Sequence, residues 1–295
     1  MKSRMFLIFY AFSLVFFKLS SEEKPYVVGS IGFGLGNQLF QVATTCALAW
    51  DNEADPYFPD YVNYFPHAES MYNHIFFRCA IDPPKKKISV YFNTPVSEYQ
   101  PIPFTNGMKL LGYSQNQRYF AHHRDRLIQL FFPNDNDLQY INNKYGWLLN
   151  DEICPNTVCI HVRYYFGEVP HQPEYRQFDE EYFEQAMQLF SNDVTFVVIS
   201  DNINFAKKVI STKDRNVVFI ENEPYYIDFF IQTFCKHNII SNSTFSWWGA
   251  WLNQNPEKIV VRPARWVDGY QDLECPDSWI RIQARSLQEK TKSNL

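Results

Sequence analysis

From residue 157 onward, continuous apolar runs alternate with amphipathic stretches. The runs are Thr157–Arg163, Val194–Ser200, Val217–Ile220, Asn238–Ser241 and Lys258–Val261. Between them, apolar residues recur at helical spacing in Glu180–Phe190, Phe205–Ile210, Ile227–Lys236 and Phe245–Asn253. Strands apolar on both faces and separated by helices predict a parallel sheet covered on two sides. Five such strands make one Rossmann-like unit. The first half is less regular. Val27–Phe33 reads as a strand ending in glycines, and Gly36–Trp50 as a helix with apolar residues at i, i+3 and i+4. Residues 51–106 are irregular, with a strand near Ile88–Phe92. A strand at Gly107–Tyr113 and helices at Phe120–Phe131 and Leu138–Leu149 follow. The expected architecture is α/β, with two Rossmann-like domains, residues 22–150 and 151–295, facing each other across a cleft.

Residues 1–21 differ. Lys2 and Arg4 precede the apolar run Met5–Phe17, and Lys18 follows. The run matches a signal-peptide core or a short signal anchor, which places the body across a membrane from the cytosol. That expectation covers a membrane or secretory lumen, the Golgi in a eukaryote, or a bacterial envelope.

Net charge is −5, and the chain beyond residue 21 holds 24 basic against 32 acidic residues. So acidic a body is a poor general binder of nucleic acid. The six cysteines contain no Cys-x-x-Cys pair, which argues against a zinc ribbon. Cys79, Cys154 and Cys275, in polar and proline-flanked stretches, are candidates for disulfides. Cys46, Cys159 and Cys235, in apolar periodic segments, read as core thiols.

Four constellations carry possible chemistry. The first is Gly32-Phe33-Gly34-Leu35-Gly36-Asn37-Gln38, between a strand and a helix. Gly34, Gly36 and Asn37 can let the backbone approach a ligand at a helix start, or simply make a tight turn. It is neither a dinucleotide fingerprint nor a P-loop. The second is His161-Val-Arg163 at the carboxyl end of an apolar strand, where ligands bind in doubly wound sheets. Both side chains point to one side, and a guanidinium there needs an anionic partner. A diphosphate or a structural carboxylate can supply it. The third is Ser200-Asp201-Asn202, which either reads a nucleoside or caps the next helix. The fourth runs from Ile240 to Trp251, with Ser243, Thr244 and Ser246 at a helix start and three tryptophans behind them. Hydroxyls and free N–H groups there suit a phosphate; the alternative is a capped helix packing its tryptophans into the core. Asn242-Ser-Thr is formally a glycosylation acceptor, but its place in the cleft argues against modification.

At these segments the sequence resembles the family 11 glycosyltransferases, the galactoside α-1,2-fucosyltransferases. The matching stretches are GFGLGNQLFQVA at 32–43, GYSQNQRYF at 112–120, IHVR at 160–163, FVVISDN at 196–202 and HNIISNSTFSWWGAWL at 237–252. The resemblance implies a GT-B fold, GDP-fucose as donor, a terminal galactose as acceptor, inversion at the fucose anomeric carbon, and no obligatory metal or other cofactor. It places His161 and Arg163 on the basic motif of the donor site, with Arg163 on the diphosphate. It places Asp201 and Asn202 on the nucleoside segment. Ser243, Thr244 and Ser246 fall on the phosphate-binding helix start, and Gly34, Gly36 and Asn37 on the loop facing the cleft. The chain departs from the family's His-x-Arg-Arg-x-Asp motif, since Tyr164 and Phe166 replace its second Arg and its Asp. Phe33 stands where an Arg is common.

Stabilising the charge that builds on a departing GDP is the task assigned to Arg163 and the helix start at Ser243 to Ser246. For the base, only Glu168 and Asp55 offer themselves, as acids near motif segments. Two rivals remain. One is a metal-dependent transferase using Asp135-Asn-Asp137, although those acids read as a solvated loop, and His122-His123 reads as a poor metal site because adjacent side chains diverge. The other is a non-catalytic carbohydrate-binding protein.

Overall fold

Two parallel sheets, each flanked by helices, form the body of the protein in the computed structural model, which describes residues 24–62, 68–82, 87–150, 152, 156–165, 176–266, 273–287 and 289–290. The first sheet holds β1 (Tyr26–Gly29), β2 (Asp55–Tyr57), β3 (Tyr91–Thr94) and β4 (Met108–Gly112), in the order β2-β1-β4-β3. Helix α1 (Leu35–Asp51) follows β1, and the short α2 (Ala68–Met71) lies between β2 and β3. Helices α3 (Arg124–Leu130) and α4 (Asp135–Leu149) lead to the second sheet. That sheet holds β5 (Thr157–Val162), β6 (Thr195–Ser200), β7 (Asn216–Phe219), β8 (His237–Ile239), β9 (Val260–Pro263) and β10 (Ile280–Ile282). Its helices are α5 (Glu180–Met187), α6 (Ile203–Val209), α7 (Tyr225–Phe234) and α8 (Thr244–Leu252).

The order β10-β9-β8-β5-β6-β7 is that of a doubly wound sheet, whose strand order reverses between β5 and β8. Every residue of β5 is buried, as expected for a strand covered on both faces. The pairing of β5 with β6 runs to Val162↔Ser200, so Arg163 and Asp201 leave the sheet side by side. The chain after Ile239 of β8 emerges on the other flank of β5.

The two halves share one core. Phe40 of α1 packs against Trp247 and Trp248 of α8 at ring-centroid distances of 4.7 and 5.0 Å, and Phe120 stacks on Trp248 at 5.1 Å. Such ring pairs contribute roughly 0.5–1.5 kcal/mol each beyond their area burial. The tryptophans of the fourth constellation are therefore core residues, as the plainer alternative holds. Arg124 of α3 donates to the carbonyls of Trp251 and Asn253 at 3.0 and 2.8 Å, capping the end of α8. Glu223, before α7, accepts from Tyr145 at 2.6 Å and also holds Tyr140 and Lys144, tying α4 to the second sheet.

Several expectations change. Strands β2 and β10 were not expected; each is three residues long, one carrying Pro56 and the other mostly exposed. Cys79 is a buried free thiol rather than a disulfide partner, as are Cys46, Cys159 and Cys235. Burial pushes the Cys79 thiol up to about 12. Cys275 is buried, with its sulfur 3.5 Å from the Leu273 carbonyl, and Cys154 lies outside the described residues. Asp135 and Asp137 are not a solvated loop: they open α4, which Asn134 caps. Asp137 is buried and takes His74 at 2.8 Å. No helix among the described residues is long and apolar enough to cross a membrane; the stretch 1–21 lies outside them.

Candidate active site

The ends of β5, β6 and β8 converge at the reversal point of the second sheet, where doubly wound folds bind ligands. Ser241 joins the two flanks: its hydroxyl donates to the His161 carbonyl at 2.6 Å and accepts from the Arg163 N–H at 3.2 Å. Gln177 donates to the Arg163 carbonyl at 3.0 Å and accepts from the Tyr165 N–H at 2.8 Å. Tyr165 in turn donates to the Asn242 carbonyl at 2.6 Å. Ser241, Gln177 and Asn242 fix the backbone on either side of Arg163. The sequence offered no signal for Gln177; Ser241 was legible only as a polar residue ending an apolar strand, and Asn242 as that and as a formal glycosylation acceptor.

Arg163 pairs with Asp201, the two side chains being 28% and 25% exposed. Asp201 also accepts from the Tyr164 N–H at 2.9 Å. Of the two partners weighed in the sequence, the protein itself supplies the carboxylate. The pair stands just beyond the carboxyl ends of β5 and β6. Asp201 thus meets the guanidinium and the following backbone.

Three other expected donor contacts take different roles. His161 is buried, and burial together with the nearby Arg163 charge lowers its imidazole to about 3. It is neutral at pH 7 and adds no cation to the basic motif. Asn202 caps α6, its side chain accepting from the Phe205 N–H at 3.0 Å, which is the capping alternative. Ser246 is fully buried, and its hydroxyl donates inward to the carbonyls of Ser243 and Ser241 at 3.1 and 3.3 Å. It is closed to a phosphate. Ser243 makes no side-chain cap bond, and it and Thr244 are partly exposed at the first turn of α8. The first N–H groups of that turn have no acceptor within the helix.

The first-sheet loop meets the same place. A Cβ on Gly36 would stand 2.4 Å from Thr244 carbon and Oγ1 atoms and 2.5 Å from the Phe245 nitrogen. Asn37 accepts from Gln115 at 2.7 Å and from Thr244 at 3.2 Å. Gly36 therefore serves a close approach of two helix starts. Gly34 has open space around it and an ordinary extended backbone, so it is a turn residue.

One of the two candidate bases fails on position. Asp55 begins β2 beside Tyr26, at the amino end of the first sheet, and pairs with Lys24; it is remote from the carboxyl edge. Glu168 and Phe166 lie outside the described residues. His122 and His123 do not diverge: both reach Asp51, at 3.0 and 2.7 Å. Asn242 is buried, and its side chain donates to the carbonyls of Arg176 and Trp266 at 3.0 and 2.7 Å. It is no glycosylation acceptor in this fold.

The comparisons agree with this architecture. The chain is 27% identical to an α-1,2-colitosyltransferase of Escherichia coli, covering 87% of this chain and 99% of that protein. It is 27% identical to galactoside α-(1,2)-fucosyltransferase 2 of Oryctolagus cuniculus, over 78% of this chain and 68% of that one. Among solved structures, the fold matches NodZ α-1,6-fucosyltransferase soaked with GDP-fucose with a TM-score of 0.52 and 13% identity, covering 78% of this chain and 93% of that one. NodZ comes from Bradyrhizobium. Both have the GT-B fold. The profile of Glycosyl transferase family 11 matches residues 2–274, and the chain belongs to that family.

Proposed function

We propose that the protein transfers L-fucose from GDP-fucose to the 2-hydroxyl of a terminal galactose, with inversion and without a metal. The observation that carries this reading is the meeting of Arg163 and the start of α8 at the sheet's reversal point, faced by the Gly36–Asn37 loop. Relatives named as α-1,2-fucosyltransferases support the linkage.

In this scheme the diphosphate lies against the Arg163 guanidinium and the first N–H groups of α8, with Ser243 and Thr244 beside it. Asp201 holds the guanidinium, and the Ser241–Gln177 network fixes the backbone behind it. As the bond from fucose to phosphate breaks, negative charge gathers on the outer phosphate. A fixed cation and aligned dipoles stabilise it without reorganising. The acceptor hydroxyl attacks from the opposite face, which inverts the anomeric carbon, and its proton leaves to a base that the described residues do not identify.

The test is mass spectrometry of a galactose-terminated glycan panel incubated with the protein, GDP-fucose and excess chelator. The account expects a deoxyhexose mass gain. No gain with any acceptor, with or without divalent metal, while GDP-fucose still binds, would favour the carbohydrate-binding rival. A second donor belongs in the panel, because the E. coli relative is a colitosyltransferase. Colitose lacks the fucose 3-hydroxyl, so comparing the two donors shows whether the site reads that position.

A further inference from the structure

We infer that Phe33 is a stacking platform for a pyranose ring of the acceptor, a role that rests on reading the chain as a glycan-modifying transferase. Phe33 has a φ of 69°, a left-handed conformation that a bulky side chain rarely adopts. It is 59% exposed, although it is a phenylalanine in the middle of a conformationally restrained loop. Its ring stacks on Tyr113 with centroids 4.7 Å apart and planes at 26°.

The strain is built in. Gln38 donates to the Phe33 carbonyl at 2.7 Å, and the Gly32 N–H donates to Gln41 at 2.8 Å. Gln41 also donates to the Gly112 carbonyl at 2.9 Å, which ties the loop to the residue before Tyr113. Both glutamines are buried. A strained residue held by buried polar anchors is characteristic of sites that need a side chain in one place. The same loop continues into Gly36 and Asn37, which touch the start of α8. The exposed ring thus stands on the loop that closes against the donor-side motif.

A flat aromatic ring backed by a second one offers an apolar face with little freedom to lose. A galactopyranoside presents a complementary face through the hydrogens on carbons 3, 4 and 5. The ligand class is therefore a terminal hexopyranose that carries such a C–H face, rather than a phosphate or a charged sugar.

Saturation-transfer difference NMR with methyl β-galactoside tests this on the intact protein, whether or not turnover occurs. The wild type should pass saturation to the hydrogens on carbons 3, 4 and 5. Phe33→Ala should reduce it several-fold, and Phe33→Tyr should keep it. Where transfer is measured, Phe33→Ala should raise the acceptor KM by about three- to tenfold, the loss expected for one ring contact. The KM for GDP-fucose and the melting temperature should stay near wild type. No saturation in the wild type, or equal saturation in Phe33→Ala, overturns the platform. Saturation without any transfer product would leave it standing and defeat the fucosyltransfer reading instead.

Discussion

Replacing Gly36 by alanine should disturb both stability and donor binding, because one added carbon meets two helix starts at once. The new Cβ would lie 2.4 Å from backbone and side-chain atoms of Thr244 and 2.5 Å from the Phe245 nitrogen. Backbone cannot rotate aside as a side-chain tip can, so α1 and α8 must separate by about 1 Å to regain ordinary contact. Overpacking of this kind costs about 1–3 kcal/mol, and the helix propensity of alanine returns up to about 1 kcal/mol. The net expectation is a loss of about 1–2 kcal/mol, which a chain of this size shows as a fall of a few degrees in Tm. Separation also moves Thr244 away from Asn37, now 3.2 Å from it. The donor KM should therefore rise. Gly34→Ala is the control: nothing stands within 4 Å of its Cβ, and it should change stability by under about 0.5 kcal/mol. Calorimetry of the two variants, with donor titrations, decides the matter. Equal Tm values for both would refute the claim that Gly36 exists for the helix contact.

Other consequences follow from single groups. Burial, with the Glu223 charge adding to it, pushes the Asp228 carboxyl up to about 8. A raised folded pKa gives stability that is full below the unfolded value near 3.8 and is lost as pH rises through 8. Urea unfolding should show Asp228→Asn abolishing about 2 kcal/mol of the wild type's fall between pH 6 and 8; an unchanged fall would contradict this. His161 works in the opposite sense. Its folded value near 3 means that stability is present above 6.5 and lost as pH falls toward 3, so His161→Asn should unfold less readily than wild type relative to its own pH 8 value. Asp201→Asn keeps an acceptor for the Tyr164 N–H but removes the charge beside Arg163. It should raise the donor KM about tenfold, with stability changed by under about 1 kcal/mol because the pair is part-exposed.

The second sheet was legible because its strands are continuous apolar runs, and β5 to β9 fall where those runs lie. β10, with Ile280 and Arg281 exposed at the sheet edge, has no such run, and β2 carries a proline that reads as a loop. The crevice was legible through Arg163 and the hydroxyl cluster, since polar residues ending buried strands are hard to explain otherwise. What each of those residues does was less legible. Periodicity gives the side of a strand but not its depth, so it could not show that His161, placed on the basic motif by the resemblance, lies deep enough to be neutral. Asn202 and Ser246 carry the right chemistry for a ligand, yet the fold uses it internally: Asn202 caps α6, and Ser246 donates to the Ser243 and Ser241 carbonyls. Gly36 shows the same limit: a glycine marks a close approach, but only the fold names the neighbour. The His122–His123 pair converges on Asp51 because the tight turn at Ala121–His123 lies beside the end of α1, which sequence spacing cannot show.

The most direct test of the donor site is the affinity of the protein for GDP, measured calorimetrically with wild type, Arg163→Ala and Arg163→Lys. Charge-assisted hydrogen bonds from one guanidinium are worth roughly 2 kcal/mol, so Arg163→Ala should bind GDP about thirtyfold more weakly. Arg163→Lys should fall between, because it keeps the charge without the fork. Equal affinity in all three, with Tm unchanged, would mean that the arginine serves only its pairing with Asp201 and that the diphosphate lies elsewhere.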